Sequence, residues 1–100
     1  MEYNKLVRDK IPEIIENNGE QCSLRILEDG EYRNCLYKKL DEEVAEFHRD
    51  RNLEELADIL EVVYALADSM ESRQKLMDVY NAKHQQRGGF EKKIFLISKE

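Results

Sequence analysis

Two short stretches of this sequence carry carboxylates at spacings that do not suit a plain solvated surface. They are Leu40-Asp41-Glu42-Glu43-Val44-Ala45-Glu46-Phe47 and Leu53-Glu54-Glu55-Leu56-Ala57-Asp58-Ile59-Leu60. At about 100° per residue, a helix through the first stretch centres its apolar stripe near Leu40 and Phe47. Glu43 falls only about 40° from that centre, inside the apolar arc or at its edge, and Glu46 shares its side one turn on. On the second stretch Glu55 and Asp58 are again three apart, with Asp58 beside Val62 and Ala65. Folded as an antiparallel hairpin, the two helices can set Glu43 and Glu46 against Glu55 and Asp58. Like charges about 5 Å apart repel by roughly 3 kcal/mol per pair at an effective dielectric of 20. Four of them would weigh heavily on a domain stable by about 5–15 kcal/mol. No basic residue is interleaved within the quartet, although Arg49 and Arg51 lie near the connecting loop. Such a cluster calls for a cation, and an all-oxygen donor set suits Mg²⁺ or Mn²⁺ rather than zinc. The plainer reading is a solvated acidic surface, since most Glu pairs at this spacing face water. The place of Glu43 within the apolar arc argues against it.

Basic residues gather in two places. Lys5, Arg8 and Lys10 lie near the N-terminus, and Lys83, Arg87, Lys92 and Lys93 surround Gly88-Gly89. Arginine suits bidentate phosphate contact and lysine acts as a point charge. The amides of a Gly-Gly pair also allow a phosphate to approach closely. We take Lys5, Arg8, Lys10, Lys83 and Arg87 as candidate anion-binding residues. Lys92 and Lys93 read as surface. A Gly-Gly after a helix is more often a stop signal, and most lysines in so charged a chain are simply solvated. His48 and His84 read as surface or packing residues. Tyr32, Tyr64 and Tyr80 fall at core spacing, where one can also stack on a base.

The chain has 100 residues, 38% charged and 41% hydrophobic, with a net charge of −6. This is one small domain, residues 1–100, with too many apolar residues for a disordered tail. No apolar run approaches the ~18 residues of a membrane span. The first residues hold no signal-peptide core, so a cytoplasmic location is expected. Cys22 and Cys35 make neither a disulfide framework nor a zinc site and are read as reduced. The acidic balance argues against binding a nucleic acid polymer. A nucleotide stays open as a ligand, because a metal reverses the local field.

The elements that position these groups are helical. The pattern predicts an all-α antiparallel helical bundle. One helix runs from about Gly30 to Asp50, with Asp29 as N-cap and a stripe of Tyr32, Leu36, Leu40, Val44 and Phe47. A second runs from about Leu53 to Ser69, capped by Asn52, and a third from about Glu71 to Gln86, ended by Gly88-Gly89. Pro12 opens a short N-terminal helix capped by Asp9 and stopped at Asn17-Asn18-Gly19. Segments 22–27 and 94–97 alternate or cluster apolar residues and read as two short strands. Neither is stable alone, so they are expected to pair into a small two-stranded sheet. That pairing would bring the chain ends, and both basic clusters, to one end of the bundle. The second long helix is apolar over more than half its circumference and needs two covering surfaces. This favours a homodimer or dimer of dimers, unless the terminal strands and the third helix cover it fully.

The pattern Glu42-Glu43-Val44-Ala45-Glu46 followed by Glu55-Leu56-Ala57-Asp58 resembles the MazG-like all-α NTP pyrophosphohydrolase superfamily. The flanks Tyr3-Asn4-Lys5-Leu6-Val7-Arg8-Asp9-Lys10-Ile11-Pro12 and Arg87-Gly88-Gly89-Phe90 are similar to a small branch of predicted house-cleaning pyrophosphatases within it. The resemblance spans nearly the whole chain. It implies Mg²⁺-dependent cleavage of a nucleoside triphosphate, one of the non-canonical kind, to the monophosphate and pyrophosphate. It also implies Glu43, Glu46, Glu55 and Asp58 as metal ligands, with Glu42 outside them, and a dimeric assembly. Glu43 or Glu46 would be the catalytic base. The gap between Glu46 and Glu55 is shorter than in many members, so no substrate contact is carried over into that loop. Two alternatives stand beside this reading. One is phosphoribosyl-ATP pyrophosphohydrolysis. The other is a non-catalytic helical module that binds nucleotide or protein.

Overall fold

The computed structural model describes residues 3–100. Four helices follow one another: α1 (Ile11–Asn17), α2 (Asp29–Asp50), α3 (Leu53–Met70) and α4 (Arg73–Arg87). The all-α expectation is met. No strand forms among the described residues: segments 22–27 and 94–97 are irregular, so the expected sheet is absent. Alternation alone does not distinguish a strand from an extended segment without a partner. Ile26 is 88% exposed and Ile97 89%.

The helix ends explain the connections. Arg51 takes a left-handed conformation (φ 48°, ψ 53°) and donates its backbone N–H to Phe47 O, closing α2. Asn52 then caps α3 as expected, its side chain accepting from the Glu55 amide at 2.9 Å. The connection is thus two residues long, and α2 and α3 are antiparallel neighbours. Arg33, near the start of α2, donates to Ser69 O near the end of α3 at 3.2 Å. Ser72 caps α4 through the Lys75 amide, one residue beyond the expected start at Glu71. Asp68 accepts from the Arg73 amide at 2.8 Å and ties α3 to α4. Two other expected caps are not formed. Lys10 occupies the N-cap position of α1, and Glu28 that of α2, each without a side-chain cap bond. Asp9 and Asp29 are each displaced by one residue from the capping position.

The core is thin. Leu36 on α2 and Val62 on α3 are the buried apolar residues among those described. Leu53, Leu56 and Leu60 on α3 are 79%, 44% and 48% exposed. The radius of gyration is 17.9 Å, against about 13 Å for a compact chain of this length. The accessible surface is 9410 Å², whereas a compact 11.9 kDa monomer exposes roughly 5,900 Å². A single copy therefore leaves roughly 3,500 Å² uncovered beyond the ordinary amount. Among the described residues no helix is long and apolar enough to cross a membrane.

Candidate metal centre

The α2–α3 hairpin brings the acids together. Oxygens of Glu42, Glu43 and Glu46 lie within 4.8 Å of one another, and so do oxygens of Glu43, Glu55 and Asp58. Glu43 belongs to both sets and links the two helices. It is 6% exposed, the one buried charged residue among those described. Its depth follows from its angle on α2, seven residues after the buried Leu36 and four before the half-buried Phe47.

The electrostatics are unbalanced. Lys39, one turn before Glu43, places Nζ 3.5 Å from Glu43 Oε1 and 3.5 Å from Glu42 Oε1. Glu43 Oε2 and Glu55 Oε2 are buried without a hydrogen-bond partner. Burial is the main cause that raises the Glu43 pKa above the usual glutamate range. The adjoining Glu46 carboxyl adds to it, and Asp58 less so, while Lys39 opposes the rise. Glu55 is raised for the same first reason, then by Glu46, Asp50 and Asp58, with Arg49 opposing. Each orphaned oxygen is a buried acceptor without a donor, which costs free energy until something fills it. The unpartnered carboxylate oxygens of Glu43 and Glu55, with Asp58 and Glu46 beside them, are the kind of oxygen donor set that a hard divalent cation such as Mg²⁺ or Mn²⁺ takes.

Lys39 corrects the sequence reading, which found nothing basic interleaved with the acids. The signal was present, because a lysine four residues before a glutamate on a helix is its neighbour. Glu61 was also missed. It lies three residues beyond Asp58 and completes a two-carboxylate seat for Arg8.

The basic residues divide. Arg8 reaches α3 from the N-terminal segment: Nη1 is 3.1 Å from Asp58 Oδ1 and Nη2 is 3.6 Å from Glu61 Oε1. It thus pairs with a carboxylate of the acid quartet. Lys5 and Lys10 are exposed, Lys5 with its ammonium 5.8 Å from the Tyr3 ring centre. Lys83 and Arg87 border an open pocket of about 650 Å³ at the end of α4, with Tyr80, His84 and Phe90. The strand pairing expected to gather both basic clusters is not formed. His84 and Arg87 lie in the last turn of α4, and the Arg87 guanidinium there opposes the negative end of the helix dipole. Lys92 and Lys93 are exposed, as expected. Tyr64 holds the Arg73 guanidinium 4.3 Å over its ring. Both cysteines are free.

No family model matches this chain, and no solved structure matches it. A protein of Mycolicibacterium smegmatis described only as uncharacterized is 50% identical over 54 residues, which is 50% of this chain and 55% of that protein. The chain spans about half the length of this curated relative.

Proposed function

We propose that this protein is a Mg²⁺-dependent nucleotide pyrophosphohydrolase that cleaves a (d)NTP to its monophosphate and pyrophosphate. The observation that carries this reading is the buried Glu43, whose Oε2 has no hydrogen-bond partner and whose carboxylate comes within 4.8 Å of oxygens of Glu55 and Asp58. Glu43, Glu46, Glu55 and Asp58 would hold the ion. When bound, a divalent ion neutralises phosphate oxygens and lowers the pKa of water. The resemblance of the acid motif and its flanks to MazG-like pyrophosphohydrolases supports the substrate class.

The chain's own residues take the remaining roles. Glu43 or Glu46 would be the base, whichever keeps a carboxylate oxygen free of the ion. Arg8, exposed on its outer side, would turn its guanidinium to the phosphate chain. Lys5 and Lys10 would add charge from the same segment, and Lys83 and Arg87 from the end of α4. Self-association as a homodimer or dimer of dimers would cover part of the surplus surface.

The test is product identification from a panel of canonical and modified nucleoside triphosphates with Mg²⁺. The reading predicts monophosphate and pyrophosphate in equal amounts, lost in Glu43→Gln. Orthophosphate as the first product would contradict it, as would turnover that survives Glu43→Gln.

A further inference from the structure

The longest apolar run outside the helices touches almost nothing. Ile94, Phe95, Leu96 and Ile97 are 80%, 88%, 77% and 89% exposed, and Phe90 before them is 98% exposed. Gly88 leaves α4 with φ 76° and ψ −172°, and Lys93 has φ 58°. These two positive-φ residues direct the segment off the end of α4. Four consecutive unpaired apolar residues are an association hazard unless something covers them.

An apolar groove with the complementary need lies between α3 and α4. It is lined by Leu60, Val63, Tyr64, Leu76, Met77 and Tyr80, opens to solvent and has a volume of about 340 Å³. That is roughly twice the ~150 Å³ that holds a benzene molecule. In an extended segment, alternate residues share a side, so Phe95 and Ile97 present together.

We infer that residues 90–97 form an arm that docks in the α3–α4 groove of a second copy of this chain, with the exchange reciprocated. This deepens the self-association named above and does not depend on hydrolysis. Area identifies the occupant. Folding the arm back onto its own groove would cover only those few side chains. The surplus of roughly 3,500 Å² per chain exceeds the ~800 Å² that each partner contributes to a standard interface. A second copy supplies a surface of that size and has the same groove to offer. Charge agrees with this. Residues 91–100 carry three lysines and two glutamates, whereas the whole chain has a net charge of −6. The arm is therefore slightly positive in a net acidic molecule, which favours its approach to another copy.

The experiment compares three full-length chains by light scattering across a concentration series. They are the wild type, an arm variant (Phe95→Asp with Ile97→Asp) and a groove variant (Met77→Glu). Circular dichroism reports whether helices persist, and the arm substitutions lie outside every helix. The wild type is expected to be dimeric, with each variant dissociating at least tenfold more readily. An equimolar mixture of the two variants is expected to recover dimer, because the intact arm of one meets the intact groove of the other. A wild-type dimer unchanged by the arm substitutions overturns the arm exchange and leaves self-association standing. A monomeric wild type overturns both. A mixture no more dimeric than its components also overturns the exchange. Nucleotide turnover, measured on the same samples, reports separately on the proposed reaction.

Discussion

Lys39 Nζ lies 3.5 Å from Glu43 Oε1, one helical turn away on α2, and leaves Glu43 Oε2 without a partner. The ammonium satisfies one oxygen of a buried carboxylate and not the other. Lys39 thus offsets part of the acid cluster from the buried side and Arg8 part of it from the exposed side. Buried oxygens of Glu43 and Glu55 still lack a partner.

Lys39→Met should therefore destabilise the metal-free protein. Removing one member of a largely buried pair costs several kcal/mol when the other stays charged. A loss of about 1–3 kcal/mol is expected, the cost of a buried acceptor left without its donor. Urea unfolding with and without Mg²⁺ checks this, and saturating Mg²⁺ should shrink the difference between variant and wild type.

Glu43 makes stability depend on pH in a definite direction. Its pKa is raised in the folded state, so the folded protein binds more protons than the unfolded chain within the affected window. Stability from this group is present below the ordinary glutamate pKa of about 4.3 and falls as pH rises through the raised folded value. Glu55 acts in the same sense. Glu31, lowered chiefly by its hydrogen bond with Arg25, acts in the opposite sense. Its contribution is present above the ordinary value and is lost as pH falls through its depressed folded value. Glu43→Gln should therefore flatten the metal-free stability profile above about pH 4.3 and leave the opposite contribution of Glu31 in place. Thermal melts across pH, wild type against variant, provide the difference curve.

Metal should stabilise the fold and displace protons. A ligand at a hundred times its dissociation constant adds about 2.7 kcal/mol. Because Glu43 and Glu55 hold protons more tightly than ordinary glutamates, metal binding should release protons and strengthen as pH rises. Calorimetry in buffers of different ionisation enthalpy measures that release directly.

How much of this was legible in the sequence depended on how local the cause was. The α2–α3 hairpin could be read because Asn52, Arg51 and the apolar stripe act within a turn or two. The burial of Glu43 could be read from its angle to Leu40 and Phe47. The strands could not, because segments 22–27 and 94–97 look the same whether or not a partner strand exists. The Arg8 seat was hidden as well. It joins residues fifty apart in the chain, and no periodicity reports such a contact. Lys39 was readable and was overlooked, since the acids drew attention to carboxylate spacing alone.

Arg8 is paired with Asp58, so under the proposed function it would compete with metal for that carboxylate and would serve phosphate when substrate binds. The pair is well exposed, so its worth is about 0.2–1 kcal/mol. Arg8→Gln should tighten Mn²⁺ binding about 1.5- to 5-fold in the absence of nucleotide. The same substitution should raise the nucleotide KM. Mn²⁺ titration and steady-state kinetics on one preparation separate the two effects, and a purely structural Arg8 would not move them in opposite directions.

Free Mn²⁺ measured by electron paramagnetic resonance tests the central claim most directly. Wild-type protein titrated with Mn²⁺ at neutral pH should remove the free-ion signal stoichiometrically, and Glu43→Gln should leave it in solution at the same concentrations. Equal depletion by both proteins, or none by the wild type at millimolar Mn²⁺, would contradict a divalent-cation site built on Glu43.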